Sequence, residues 1–92
     1  MAIKVLIPST LRKLTGDQSL VSLESTTVGG CLADLDAQYP GIGERLRDEE
    51  GEIRRFVNIY VNGDDVRFLE GPATPLKAGD EVSIVPAMAG GS

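Results

Sequence analysis

The sequence predicts an α+β fold: a mixed sheet of about five strands packed on one main helix, followed by a flexible C-terminal tail. Three observations carry that expectation. Apolar and polar residues alternate in several short segments, most clearly in Phe56-Val57-Asn58-Ile59-Tyr60-Val61. One longer segment carries helical spacing instead, with Val28, Cys31, Leu32, Leu35 and Tyr39 on one stripe. The 92 residues suffice for one domain and are too few for two, and 41% of them are hydrophobic, enough for a core without disulfides.

The elements follow in order. Ile3, Val5 and Ile7 alternate with Lys4 and Leu6, which predicts a strand with one buried face, ended by Pro8. A long polar loop around Arg12 and Lys13 leads to turn chemistry at Thr15-Gly16-Asp17-Gln18. Leu20-Val21-Ser22-Leu23 then pairs back as a second, antiparallel strand. Thr26 or Thr27 can accept an orphan N–H as the N-cap of the helix. Gly29-Gly30 weakens the first helical turn by roughly 1 kcal/mol per glycine, which points to close packing of the helix start against a strand. Tyr39-Pro40-Gly41 stops the helix, because proline disfavours helical geometry in the residue before it. Ile42 to Leu46 predicts one short helical turn, and Arg47 to Glu52 a charged, solvated loop. In the strand from Phe56, Val57, Ile59 and Val61 face one way and Asn58 and Tyr60 the other. Asn62-Gly63 is a tight hairpin signal, and Val66-Arg67-Phe68 is expected to return as a strand. A loop at Gly71 to Pro75 and a turn at Leu76 to Glu81 lead to the last strand, Val82 to Val85.

The resulting order, β-β-α-β-β-β, is that of the β-grasp, or ubiquitin-like, architecture. The single sizeable helix covers one face of the sheet, and the last strand lies in its centre. Residues 1–86 form the expected domain and residues 87–92 the tail. That tail reads Ala87-Met88-Ala89-Gly90-Gly91-Ser92. Two glycines there contribute little to a folded domain, because glycine loses the most backbone entropy on ordering. Lacking a Cβ, they can enter a narrow site in another protein. The sequence therefore places the functional end of the molecule on its own terminal backbone.

Composition narrows the remaining chemistry. There is no His and one Cys, so no His-based nucleophile pair, no intramolecular disulfide and no cysteine cluster for zinc are available. The net charge of −5 argues against nucleic acid and anionic membranes and fits a protein docking on basic partner surfaces. No apolar stretch approaches a membrane span, and the run ending at Pro8 is too short for a signal peptide, so a cytoplasmic location is expected.

Two segments go beyond generic pattern. Arg55 to Asn62 with Asp64-Asp65-Val66-Arg67-Phe68, and Leu76 to Gly91 with its Gly-Asp turn, alternating strand, proline and final Gly-Gly, resemble the small sulfur carriers related to MoaD and ThiS. Thr27-Val28-Gly29 through Leu35 and Tyr39-Pro40 also fit, so the resemblance covers nearly the whole chain. Its nearest likeness is to the branch serving a bacterial cysteine-synthesis route. The resemblance implies that the protein is a carrier and not an enzyme. An E1-like enzyme would use ATP to adenylate the Gly91 carboxylate, and a sulfur donor would displace AMP to leave a thiocarboxylate. A pyridoxal-phosphate cysteine synthase would then take the sulfur. The carrier itself would bind no cofactor or metal. Gly90, Ala89 and Met88 would thread the partner site, and Ala87 to Gly91 reach about 17 Å fully extended, at about 3.4 Å per residue.

Ser92 departs from that pattern, since the glycine carboxylate must be exposed. Either Ser92 is native and a peptidase, metal-dependent in some relatives, trims it, or it was added in cloning. Two further functions share the fold and tail: a ubiquitin-like modifier joined to lysines, and the small subunit of molybdopterin synthase. Asn58, Tyr60 and Phe68 are candidates for a partner-docking patch on the outer sheet face, weighed equally against ordinary surface packing. Arg54-Arg55 is a weak signal for steering a partner. Cys31 sits on the apolar stripe and is expected to be a buried structural thiol. The pairs Glu49-Glu50 and Asp64-Asp65 are expected to be solvated loop and turn charge.

Overall fold

The alternating segments pair into one five-stranded sheet, seen in a computed structural model that describes residues 2–86. In chain order the elements are β1 (Ile3–Leu6), β2 (Leu20–Leu23), α1 (Val28–Gln38), α2 (Ile42–Leu46), β3 (Val57–Val61), β4 (Asp64–Asp65) and β5 (Glu81–Pro86). The sheet order is β2-β1-β5-β3-β4. The last strand is central, as expected: β5 runs parallel to β1 and antiparallel to β3. A parallel pair cannot be closed by a hairpin, so the chain between β1 and β5 must cross over, and α1 covers the sheet on the way.

The period-two alternation decides the core. Ile3, Val5, Val21, Leu23, Val57, Ile59, Val61, Val82 and Ile84 all face inward and are buried. Val28, Cys31, Leu32 and Leu35 of α1 pack against them, joined by Ile42 and Leu46 of α2. Thr27 is the N-cap of α1, its hydroxyl accepting the Gly30 N–H at 3.0 Å. Tyr39 lies one position beyond the helix and packs half-buried against the core. The Asn62-Gly63 hairpin forms as predicted, with φ of 52° and 93° at its two central residues.

Three expectations need correction. The sequence predicts a return strand at Val66 to Phe68, but β4 is Asp64–Asp65 and Val66–Phe68 is a 3₁₀ turn. The Asp65 carboxylate accepts the Arg67 N–H at 2.8 Å, which caps that turn and curls the chain while Val66 drops into the core. Of the two glycines that open α1, Gly29 packs on a loop, not on a strand, and Gly30 on its own N-cap side chain, Thr27. A Cβ on Gly29 would stand 3.2 Å from the Pro72 carbonyl oxygen. The loop is tied there by Val28 N–H to the Thr74 carbonyl at 3.0 Å and Leu76 N–H to the Thr26 carbonyl at 2.8 Å. The polar loop around Arg12 contains a 3₁₀ helix, Ser9–Leu14, because Leu11 is buried and anchors it. Among the described residues no helix is long and apolar enough to cross a membrane.

Candidate functional site: the root of the tail

The predicted chemistry lies on Gly91, with Met88, Ala89 and Gly90 threading and Ser92 processed; all five fall outside the described residues. What the structure defines is the platform that presents them. Its last described register pair is Val57 opposite Pro86, so the tail begins at the central strand of the sheet, beside the start of β3. Val82 and Ile84 bury one face of β5, and its start is clamped at the other end. There Asp80 accepts the Lys77 N–H at 2.8 Å and the Asn62 Nδ2 at 3.1 Å, while Asn62 Oδ1 accepts the Glu81 N–H at 3.0 Å. These bonds hold the Asp80 carboxyl below its ordinary range, first through the Lys77 backbone N–H and then through Asn62. Asp80 is thus a structural anion, poorly suited to proton transfer.

The outer face of the sheet is where the sequence predicts a partner-docking patch. Register aligns Leu20, Leu6, Ser83, Tyr60 and Asp65 in one row across five strands. Val85 pairs with Asn58 in the next positions toward the tail. Asn58 and Tyr60 are half-buried, whereas Phe68 is 87% exposed. Leu20, Phe56 and Val85 are exposed as well. Of the three predicted docking residues, Asn58 lies at the tail end of β3 and is bonded by Arg67, the residue before Phe68; Phe68 itself belongs to the 3₁₀ turn and not to a strand of the sheet face. One terminal nitrogen of Arg67 donates to the Val57 carbonyl at 2.7 Å and to Asn58 Oδ1 at 2.6 Å. Tyr60 lies deeper in the sheet, between Ser83 and Asp65. Arg67, Leu20 and Val85 were missed. The alternation of β2 and β5 already marked the two apolar side chains as outward, but nothing local in the sequence marks Arg67.

Nothing else described competes as a chemical site. Cys31 is fully buried, and burial, then the Asp34 charge, pushes its thiol up to about 12, so it is not a thiolate at neutral pH. Asp34 is engaged by the Ser25 hydroxyl at 2.6 Å, and Asp36 by the N–H groups of Gly41 and Gly43. Glu49 and Glu50 are solvated, while Asp65 serves as a cap. A shallow cleft of about 490 Å³ between α2 and the charged loop interleaves Asp36, Glu44 and Asp48 with Arg47 and Arg54, and Arg54 is committed to the Glu44 carbonyl. Among the described residues no group of three acidic, His or Cys side chains could hold a metal ion.

Comparison with known proteins follows the same lines. The model of the ThiS family matches residues 5–91. The sulfur carrier protein CysO of Mycobacterium tuberculosis is 52% identical over 93 residues, covering 99% of this chain and 100% of that protein. A crystal structure of Mycobacterium tuberculosis CysO superposes with a TM-score of 0.88 at 50% identity, covering 94% of this chain and 99% of that one. A chain in the crystal structure of the Amycolatopsis orientalis BexX/CysO complex superposes with a TM-score of 0.91 at 42% identity, over 97% of this chain and 99% of that one. Small archaeal modifier protein 3 of Haloferax volcanii is 41% identical over 85 residues, covering 90% of this chain and 91% of that protein.

Proposed function

We propose a function from one shown premise: the chain belongs to the ThiS family. It is a sulfur carrier, a protein co-substrate with no catalytic group of its own, and its working end is Gly91. The observation that carries this reading is the pairing of a family match that runs to Gly91 with a tail rooted on the central strand of the sheet. Residues 1–86 are the handle and residues 87–92 the tail.

The chemistry follows from the weakness of a carboxylate as an electrophile. An E1-like enzyme transfers AMP from ATP to the Gly91 carboxylate, which supplies a leaving group. A sulfur donor displaces AMP, and the thiocarboxylate delivers its sulfur to an acceptor enzyme. Likeness to CysO favours cysteine synthesis in the cytoplasm, with a pyridoxal-phosphate cysteine synthase as acceptor. That a CysO chain occurs in a complex with BexX supports recognition of the same platform by a second protein. Any residue after Gly91 blocks the carboxylate, so a peptidase removes Ser92 before charging. Gly91→Ala in the trimmed chain should abolish acyl-adenylate formation while leaving the melting temperature unchanged. Charging of that variant at the normal rate would show that the tail threads no tight site.

A second reading has an observation of its own, the 41% identity to an archaeal modifier protein. A modifier uses the same adenylate to form an isopeptide bond with a lysine. Ladders on a denaturing gel that survive reductant and disappear in Gly91→Ala would support it.

A further inference from the structure

The carrier reading, on which this inference rests, sets a geometric demand on the activating enzyme. From Ala87 to Gly91 there are five residues, which reach about 17 Å at most. An enzyme that closes around the Gly91 carboxylate must therefore bring its surface close to Pro86. Residues at the root of the tail are then covered whether or not they contribute binding energy.

The root is built unusually on its β3 side. β3 pairs with β5 along its whole length, but with β4 only at Tyr60 and Val61. Its edge at Val57 and Asn58 has no strand partner among the described residues. Arg67 occupies that edge instead, donating to the Val57 carbonyl and to the Asn58 side chain. Asp65 supports the arrangement by capping the Val66–Phe68 turn, and its carboxylate lies 4.0 Å from Arg67 Nε. Val66 is buried beneath. The Arg67 side chain thus ties the turn to β3 at Val57, the residue that pairs with Pro86.

Phe68 follows directly and is 87% exposed, the most exposed of the large apolar side chains in the described residues. Nothing in the fold requires an aromatic ring there. Phe56, at the same end of β3, is 54% exposed. Aromatic side chains held on a fixed backbone make strong interface anchors, since little freedom is lost on burial.

We infer that Phe68 is the apolar anchor for the adenylating enzyme, received in an apolar pocket beside the tail channel, and that Arg67 is a positioning residue that holds it at the root. The strut also blocks the open edge of β3 against pairing with a foreign strand. The two roles make one prediction that a merely structural arginine does not: Arg67 acts on activation through Phe68.

The test measures ATP–pyrophosphate exchange by the native host's E1-like enzyme, with the chain ending at Gly91 as substrate. Phe68→Ala should raise KM by about tenfold, the scale of a single aromatic anchor, with kcat within twofold. Arg67→Ala should raise KM severalfold, and the Arg67→Ala/Phe68→Ala double variant should match Phe68→Ala alone. Glu24→Ala, an exposed side chain just beyond β2 at the opposite end of the sheet, should leave KM unchanged. A KM within twofold of wild type for Phe68→Ala, or additive losses in the double variant, would overturn the inference while leaving the carrier reading intact. No exchange with the wild-type chain would instead remove the carrier reading and the anchor with it. Matching thermal melts for the single variants separate these outcomes from unfolding.

Discussion

Asp80→Asn tests the claim that the acidic side chain at the start of β5 is a clamp and not a chemical group. Asp80 receives two donors on two oxygens: the Lys77 N–H at 2.8 Å and Asn62 Nδ2 at 3.1 Å. An asparagine offers one acceptor oxygen and one NH₂ group, so one of those donors must face another donor. A hydrogen bond to a charged group contributes about 1.5–3 kcal/mol net. The Lys77 ammonium, 3.7 Å away and 85% exposed, adds little. The expected loss is therefore about 2 kcal/mol, or roughly 8–16 °C in melting temperature for a domain of this size. The pH dependence follows from the sign of the shift. The folded carboxyl is held below its ordinary value, so its stabilisation is complete above about pH 3.9 and disappears as pH falls through the lower folded value. Urea unfolding of wild type and variant should differ by about 2 kcal/mol at neutral pH and converge in acid. Adenylation of the folded variant should be normal, because Asp80 precedes β5 and the tail leaves its far end. A stability difference below about 0.5 kcal/mol, or a folded variant that cannot be charged, would refute the reasoning.

Further outcomes follow from the packing at two sites. The Cys31 thiol should resist alkylation in the folded protein at neutral pH and react at the unfolding rate. Because its folded value is raised, stability should decline as pH climbs above the ordinary thiol range toward about 12, and Cys31→Ser should cost about 1–3 kcal/mol by burying a hydroxyl. Gly43→Ala places a Cβ 2.7 Å from the Asp36 side chain, whose carboxylate accepts the Gly43 and Gly41 N–H groups at 2.9 and 3.2 Å. Despite the better helix propensity of alanine, denaturant unfolding should show a loss of about 1–3 kcal/mol.

Most of the fold was legible because two periods and a few stop signals do most of the specifying. Val57, Ile59 and Val61 alternate inward, the Val28–Leu35 stripe faces them, and Pro40 and Asn62-Gly63 punctuate the chain where expected. The β4 region was misread because Val66-Arg67-Phe68 has strand composition, whereas the Asp65 cap and the burial of Val66 favour a 3₁₀ turn. The contact of Gly29 with Pro72 was visible only as an unexplained pair of glycines, since its partner lies 43 positions away in sequence. In the tail Gly90-Gly91 stands out locally, and alternation puts Asn58 and Tyr60 on the outward side of β3, whereas Phe68 is exposed in a 3₁₀ turn and not on the strand expected for it. The Arg67 strut does not stand out, because its acceptors are a carbonyl and a side chain on another strand.

The central claim is that Gly91 carries sulfur. Intact-mass spectrometry of the protein from its native host, with the activating enzyme and sulfide supplied to a parallel sample, tests it most directly. The account predicts a chain ending at Gly91 in which one oxygen is replaced by one sulfur, and no such species from Gly91→Ala. A chain that keeps Ser92 and gains no sulfur under either condition would contradict it.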